Sequence, residues 1–327
     1  MPEPLFLGVD LGGTKIYTAL ANAQGKILAE VKIPTEAGGG TQHVLRRIVQ
    51  TAEKVSGQSG VNVRPAFLGI GAPGPTDSEK GIVHQAPNLG WRDVPLKELL
   101  EEALGLPVVV ANDANLAALG EHVFGAGQGV ADLVYVTVST GVGGGFILGG
   151  KLYSGASFGA GEVGHMTVDP DGTLCNCGNR GCLEAVASGS AMARRAREMV
   201  EKGRGQGILQ AAGGKDQISA LSVSQAAAAG DREAMAILAE TGKWLGVGLA
   251  SVINLLNPAL ILLGGGVMQA GKPLWEAMEE EINKRALQAL RRRVQLAPAG
   301  LGPRSGLMGA IALAIQSFVG CQTPYSS

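Results

Sequence analysis

The sequence lacks an excess of charge of either sign. Its 327 residues include 27 Lys and Arg against 28 Asp and Glu, for a formal net charge of −1 and an isoelectric point near 6.5. A protein that binds nucleic acid or an anionic membrane normally carries a basic patch or stripe. The near-neutral balance therefore argues against both partners and favours a small-molecule ligand.

The sequence also lacks a long unbroken apolar run. Its most apolar stretch, LASVINLLNPALILLGGGV, is interrupted by Asn254, Asn257 and Pro258, whereas a membrane span needs roughly 20 consecutive apolar residues. We interpret it as a buried helix followed by a buried strand. The start, MPEPLFLGVD, has no basic segment followed by an apolar one, so it predicts no secretory signal. We therefore expect a cytoplasmic protein.

Cysteine is scarce, yet three of the four cysteines crowd into CNCGNRGCLE, at Cys175, Cys177 and Cys182, while Cys321 lies near the C-terminus. Disulfide bonding is one interpretation of this cluster. It is disfavoured because a Cys-x-Cys pair has poor geometry for bridging and because disulfides are rare in cytoplasmic proteins.

Zinc binding is the second interpretation. GEVGH places His165 ten residues before Cys175, and three thiolates with one imidazole form a tetrahedral zinc site. We predict such a site over residues 165–184. With all four positions filled by protein, the ion has no open position for water or substrate, so we expect a structural role.

Glycine, in contrast, is abundant: 51 of 327 residues, about twice the usual share. The clusters DLGGTK, GIGAPGP, STGVGGG and LLGGGVM each follow an apolar, β-branched run. A strand followed by a glycine turn lets bare backbone N–H groups approach an anion. The pattern therefore favours phosphate binding.

The chain is long enough for two domains, and its strand pattern occurs twice. LFLGVD, KIYTALA and ILAEVKI predict an antiparallel meander, followed by alternating helices and strands. LVYVTVSTGVGGGFILGGKLYSG repeats the plan of the meander, and PALILLGGGV parallels PAFLGIGAPG. A repeat in the same order predicts two related α/β halves. Their glycine turns could together hold one polyphosphate. The Ala-rich region 191–243 is predicted to be helical and indicates no chemistry.

The first glycine turn, DLGGTK, follows a predicted strand. The amides of Gly12, Gly13 and Thr14 could hold phosphate oxygens, and Asp10 could hold Mg²⁺ through water. The alternative is an ordinary hairpin turn, and the spacing is not that of a Walker A loop. STGVGGG, which contains Thr140, has the same two interpretations.

Five further polar residues are candidates for a functional site. In ANDAN, helix capping would explain either Asn112 or Asp113, but both stand where a strand opens onto a crevice, the place where α/β folds bind ligands. Glu162 and Glu184 flank the predicted zinc loop, and their alternative role is solvated surface charge. Asn88, in QAPNLGW, is on its own a weak signal.

Three segments in this order, DLGGTK, VSTGVGGGFILGGKLYSGASFGAGEVGH and CNCGNRGCLE, resemble the ROK family of sugar kinases and repressors. The resemblance extends from about Val9 to Gly266. It implies the actin-like, hexokinase-like (ribonuclease H-like) fold: duplicated α/β domains with an interdomain cleft. We expect a smaller domain over 1–112, completed by a C-terminal helix at about 307–320, and a larger domain over 113–306.

The resemblance also implies roles for individual residues. Asp113 would be the catalytic base, and His165 would use one ring nitrogen for zinc and the other for the sugar. The sugar hydroxyls would be held by Asn88, Asn112, Asp113, Glu162, His165 and Glu184. ATP with Mg²⁺ would be held by Asp10, Gly12, Gly13, Thr14, Lys15, Thr140, Gly141, Gly264, Gly265 and Gly266.

The activity implied by the resemblance is ATP-dependent phosphorylation of the 6-hydroxyl of a hexose. Glucose is the favoured substrate, with mannose, fructose or an N-acetylhexosamine as alternatives, and a non-catalytic sugar sensor as a further one. Repressors of the family carry a DNA-binding region before the phosphate motif. Asp10 lies nine residues after Met1, which leads us to expect a kinase. A homodimer or higher homo-oligomer is expected from the family alone.

Overall fold

The computed structural model describes residues 3–58 and 64–322. The chain forms two compact units. The first contains the described residues up to Ala131, Gly145–Gly161 and the chain from Ala299, and the second contains Asp132–Gly144 and Glu162–Pro298. The chain passes between the units several times. A domain boundary between residues 112 and 113 stays a prediction from the sequence.

The N-terminal 131 residues contribute eight strands and three helices to the described structure. The strands are β1 (Leu5–Leu11), β2 (Lys15–Asn22), β3 (Ile27–Pro34), β4 (Phe67–Ala72), β5 (Thr76–Asp77), β6 (Ile82–Ala86), β7 (Trp91–Val94) and β8 (Val108–Asn112), and the helices are α1 (Thr41–Gln58), α2 (Leu96–Leu104) and α3 (Asp113–Phe124). The first sheet has the order β3-β2-β1-β4-β8.

The rest of the described chain contributes five strands and eight helices. The strands are β9 (Leu133–Val138), β10 (Val142–Leu148), β11 (Lys151–Tyr153), β12 (Leu260–Gly264) and β13 (Gln295–Pro298). The helices are α4 (Leu183–Ala187), α5 (Gly189–Glu201), α6 (Gln206–Ala212), α7 (Ala220–Ala228), α8 (Arg232–Leu256), α9 (Lys272–Arg285), α10 (Gln288–Arg291) and α11 (Ser305–Gln322).

Helices cover both faces of the first sheet. On one face, α1 buries Val44, Ile48 and Val55, whose spacing forms one apolar stripe of a helix. On the other face, α11 packs on β1 and β4 and against α3. The approach of α11 is close enough that a methyl group on Gly69 of β4 would overlap the backbone of Ala310. Glycine in the middle of this strand is thus explained by helix packing.

The second sheet repeats the plan of the first. Its order is β11-β10-β9-β12-β13: a meander, then two strands added in parallel to the first strand of the meander. The first sheet has the same arrangement, with β1 parallel to β4 and β4 parallel to β8. The duplication predicted from the glycine-rich strands is therefore confirmed at the level of topology. The small sheet β5-β6-β7 and strand β13 were not predicted from the sequence.

Two helical stretches, Arg232–Leu256 and Gly302–Cys321, are long and apolar enough to cross a membrane by length and composition alone. Both pack within their own unit: α8 contacts α9 along its length, and α11 contacts α3, β1 and β4. Asp231 caps the start of α8 through the amide of Ala234. These contacts are those of core helices in a folded protein.

Candidate functional site

Asp10 and Asp113, which are predicted to bind magnesium and to act as the base, lie at the carboxyl ends of strands of the first sheet. Asp10 is near the end of β1, and Asp113 follows β8 directly. Because β1, β4 and β8 are parallel, their carboxyl ends meet at the same edge, where open α/β sheets bind ligands. Asp10 pairs with Gly71, and Gly71 pairs with Ala111. Asp10 and Ala111, which lies two residues before Asp113, are therefore separated by two strand spacings, or roughly 10 Å between backbones.

Asp10 lies in a largely buried position. Burial raises the pKa of its carboxyl group, and the nearby ammonium groups of Lys15 and Lys32 partly oppose that rise. The first turn of α11 closes one side, since a methyl group on Gly306 would lie 3.1 Å from Asp10 Oδ1. A desolvated carboxylate is stabilised by a cation, and Mg²⁺ prefers such oxygen ligands. The residue therefore fits the predicted magnesium role.

The turn after β1 is held by backbone and hydroxyl contacts. The Gly12 N–H donates to the carbonyl of Lys15 at 2.9 Å, and the Thr35 N–H donates to that of Thr14 at 3.0 Å. The Thr35 hydroxyl donates to the Gly12 carbonyl at 2.7 Å. Thr35 follows β3 and was not singled out from the sequence, because a lone threonine after a strand carries no motif.

Asn88 lies against this same turn. It sits in the short helical turn Pro87–Leu89 between β6 and β7. A methyl group on Gly13 would come within 2.8 Å of Asn88 Cβ. The structure therefore brings together the predicted phosphate turn and one predicted sugar residue.

Asn112 is the N-cap of α3. Its Oδ1 accepts from the amides of Ala114 at 2.9 Å and Asn115 at 3.1 Å, and its Nδ2 donates to the Gly74 carbonyl at 3.2 Å. The capping function thus falls on Asn112, so capping does not explain the neighbouring aspartate. Asp113 accepts from the Ala114 amide at 2.8 Å and lies at the positive end of the helix dipole.

The predicted zinc ligands come together in the second unit. The ligand atoms of His165, Cys175, Cys177 and Cys182 all lie within 4.8 Å of one another. His165 Nδ1 is 3.9 Å from Cys175 Sγ, and the sulfurs of Cys177 and Cys182 are 3.7 Å apart. Tetrahedral zinc with bonds of about 2.3 Å to thiolates separates its ligand atoms by about 3.8 Å. The donor set and its spacing therefore fit zinc.

The disulfide interpretation finds no support in the structure. All four cysteines are free thiols, and 3.7 Å between Cys177 and Cys182 is far beyond the bond length of about 2.05 Å. The Asn179 N–H lowers the pKa of Cys177 to about 7, whereas burial raises the pKa of Cys182 to about 12. A bound cation reverses the penalty that burial imposes on a thiolate.

The carboxylates beside this loop are positioned by it and by β10. His165 Nε2, the ring nitrogen away from Cys175, lies 3.9 Å from Glu162 Oε2. Glu184 lies in the first turn of α4, and its Oε2 accepts from the Val142 N–H at 2.8 Å. A methyl group on Gly141 would overlap that oxygen. One predicted sugar residue thus packs against the second glycine turn.

That second turn borders a cavity of about 670 Å³ within the second unit. The Ser190 hydroxyl donates to the Thr140 carbonyl at 2.8 Å, which ties the turn to the start of α5. Gly265, with φ +87°, leaves no room for a side chain beside the Val138 carbonyl, and Gly266 lines the cavity. The predicted turn residues Thr140 and Gly266 therefore open on one cavity.

The other wall of the cavity comes from the Ala-rich region that indicated no chemistry. This wall is lined by Arg197 of α5, by Ser219, which caps α7, and by Ala220 and Ser224 of α7. Arg197 donates to the Ile218 carbonyl at 2.7 Å. Small alanine and serine side chains at these positions leave the space open. The small-residue composition was the available signal, but small residues on a helix usually serve helix packing, so it did not distinguish a wall from a core.

Residues 6–317 match the ROK family model. Over 311 residues the chain is 38% identical to the glucokinase of Halalkalibacterium halodurans, covering 94% of each chain. It also resembles the crystal structure of a ROK family glucokinase from Streptomyces griseus in complex with glucose and AMPPNP: TM-score 0.84, 39% identity, 95% of this chain and 99% of that chain. A ROK hexokinase from Thermus thermophilus has TM-score 0.82 and 36% identity over 97% of this chain and 99% of that chain. ROK hexokinases and glucokinases have the actin-like ATPase fold that was expected here.

Proposed function

This chain belongs to the ROK family, and we propose that it is a glucokinase, which transfers the γ-phosphoryl group of ATP to the 6-hydroxyl of glucose. The observation that carries this conclusion is the pairing of two features. Two of the relatives above are named glucokinases, and each of these matches covers at least 94% of both chains. The chain also has both aspartates, Asp10 and Asp113, at the carboxyl ends of parallel strands beside a glycine turn.

Asp113 is the general base in this proposal. A sugar hydroxyl is too weak an acid to ionise beforehand at neutral pH, so Asp113 accepts its proton as the oxygen bonds to the γ-phosphorus. The bond from that phosphorus to the β-γ bridging oxygen breaks, and ADP leaves with the electron pair. The position of Asp113 at the start of α3, directly after β8, supports the assignment because open α/β sheets bind ligands at the carboxyl ends of their strands.

The sugar hydroxyls are assigned to six polar side chains. The spacing of Asp113 and Asn112 at one helix start and the contact of Glu162 with His165 support this set. An acceptor such as a carboxylate and a donor such as an amide can each pair with a hydroxyl. The set is Asn88, Asn112, Asp113, Glu162, His165 and Glu184.

ATP is assigned to the two glycine turns and to the cavity beside Thr140 and Gly266. Backbone amides of the turns can hold phosphate oxygens without a side-chain charge. Asp10 would hold Mg²⁺, which neutralises charge on the transferring phosphoryl group when bound. The cavity volume of about 670 Å³ is in the range of small-molecule sites and supports the assignment of the nucleoside to it.

Zinc is assigned to His165, Cys175, Cys177 and Cys182. Bound there, the ion would hold the loop in one conformation. It would supply no Lewis-acid chemistry, since protein ligands fill its four positions. With Nδ1 of His165 directed to the thiols, Nε2 is the nitrogen that faces Glu162. The ring would thereby present a fixed tautomer to a sugar hydroxyl.

A second candidate is a kinase with broader hexose acceptance. The similarity to a protein described as a ROK hexokinase, at 36% identity, favours this reading over a non-catalytic sensor. Mannose, fructose and N-acetylhexosamines are the competing acceptors. We also propose a cytoplasmic location and a homodimer or higher homo-oligomer, the latter from family membership and testable by light scattering on the purified protein.

A coupled assay of ADP release tests the activity. We expect turnover with glucose and ATP·Mg²⁺ that exceeds turnover with mannose, fructose or N-acetylglucosamine. Comparable rates with several hexoses would favour the broader kinase. If the protein bound glucose but glucose did not raise ADP release above the rate measured without sugar, the protein would be a sensor and the proposal would be overturned.

A further inference from the structure

Glu121, on α3, is a fully buried carboxylate that the proposed reaction does not use. Its exposed fraction is 0%. Four donors surround it: its Oε1 accepts from the Leu301 amide at 2.8 Å and the Ser305 hydroxyl at 2.7 Å, and its Oε2 accepts from the amides of Gly300 at 2.9 Å and Ala126 at 3.1 Å. An isolated buried carboxylate is strongly unfavourable, and this one has a complete donor set.

The donors belong to the segment that leads into α11. Gly300, Leu301 and Ser305 precede or begin that helix, and the carboxylate satisfies amides that have no partner in a helix ladder. A methyl group on Gly125 would overlap Glu121 Oε2, so the local backbone also makes room for the carboxylate. The arrangement fixes the start of α11 to the end of α3.

Helix α3 carries Asp113, and helix α11 packs against Asp10. Asp113 is the first residue of α3, eight positions before Glu121. Gly306, next to the Ser305 that donates to Glu121, packs against Asp10, with 3.1 Å between the place of a methyl group and Asp10 Oδ1. The helices are in close contact, since a methyl group on Gly309 would overlap the Leu116 carbonyl. A shift at Glu121 would therefore be transmitted to both aspartates.

We propose that Glu121 is a positioning residue that sets the placement of Asp113 relative to Asp10. The role rests on the proposed function, because it matters only if Asp113 takes a proton while Asp10 serves the phosphoryl group. Under that function glucose contacts Asp113 and ATP·Mg²⁺ contacts Asp10, so each substrate alone meets only one of the two aspartates. A misplacement therefore affects the transfer step more than the binding of either substrate. Errors of about 1 Å remote from the chemistry can lower rates about 100-fold.

The Glu121→Gln variant tests the proposal. Glutamine keeps one acceptor oxygen and replaces the other with an amide group, which would face at least one backbone N–H donor in either orientation. We expect kcat to fall at least about tenfold, within the range for small misplacements, while KM for glucose and KM for ATP each stay within about twofold of the wild-type values. Wild-type enzyme is assayed first: absence of glucose phosphorylation there refutes the proposed function, whereas an active wild type with an equally active variant refutes only this role.

Glu281→Gln is the matched control. Glu281 is 7% exposed and pairs with Arg285 at 2.8 Å on α9, in the second unit and away from both aspartates in the chain. We expect it to lower the melting temperature without the tenfold loss of kcat. Equal kcat losses in the two variants would mean that any lost buried carboxylate harms the enzyme, and would refute the role.

If Glu121→Gln does not fold, Ser305→Ala decides the question. It removes one donor and leaves three backbone donors on the carboxylate. A smaller loss of kcat with unchanged KM values supports the role. An unchanged kcat overturns it.

Discussion

The two five-stranded sheets share one strand plan, but their edges carry different chemistry. At the edge of the first sheet stand two carboxylates, Asp10 and Asp113. The turn of the second sheet carries the hydroxyls of Ser139 and Thr140 and leads to a cavity walled by small side chains. Duplication thus supplied two equivalent scaffolds. In our proposal, proton and phosphoryl chemistry stays with the first sheet, and the second sheet holds the nucleotide.

The largest effect on kcat is expected from the substitution of Asp113, which tests whether the first sheet carries the base. Asp113→Asn should lower kcat by about 10²–10⁴-fold, the usual contribution of a general base. Glucose affinity, measured by titration calorimetry, should change little because the amide still pairs with a hydroxyl.

The matched control is Asp231→Asn. Asp231 is also an aspartate at a helix start and caps α8 through the Ala234 amide at 2.8 Å, and asparagine caps equally well. The control should keep wild-type kcat. A near-normal kcat in Asp113→Asn would show that the first sheet does not carry the base.

The second effect concerns the loop proposed to bind zinc, residues 165–184. This loop distinguishes the two sheets, because the described residues of the first sheet contain no such cluster of Cys and His. Cys177→Ser, or removal of the metal by a chelator, should raise KM for glucose by about 10–100-fold, the range seen when groups that support a site are lost. The reason is that Glu162 and His165 lose their fixed placement. KM for ATP should change much less.

Metal analysis and Cys321→Ser complete that experiment. Cys321 is an exposed free thiol near the C-terminus, so its replacement should alter neither zinc content nor KM. Fully active protein that contains no zinc would refute the assignment of the metal.

The meander of the first sheet and the Cys₃His cluster could be predicted from the sequence because each depends on local spacing. Strand, glycine turn and strand form a hairpin wherever they occur, and Cys-x-Cys with a nearby third cysteine needs only a short loop to converge. The cavity wall was missed for the opposite reason. Arg197 and Ser224 come from different helices, and nothing in either helix alone distinguishes a cavity wall from a packed face. Glu121 was missed because three of its four donors lie about 180 residues further along the chain.

The third effect tests the second sheet as the nucleotide side. Ala220 lines the cavity, and Ala220→Phe should fill part of it and raise KM for ATP about tenfold, as steric loss in a pocket typically does. KM for glucose should stay constant. Ala228→Phe, on an exposed position of the same helix, is the control. A rise in KM for glucose alone would refute the assignment of the nucleoside to this cavity.

The smallest effect compares the same substitution in the two halves. A methyl group on Gly13 would lie 2.8 Å from Asn88 Cβ, whereas a methyl group on Gly266 meets nothing within 4 Å. Gly13→Ala should therefore destabilise the protein by about 1–3 kcal/mol, the usual penalty of overpacking, and Gly266→Ala should change stability by no more than about 0.5 kcal/mol. Urea unfolding measures both variants. Equal destabilisation would mean that the turn at Gly13 is no more tightly packed than Gly266, and that Asn88 is not held against the phosphate turn.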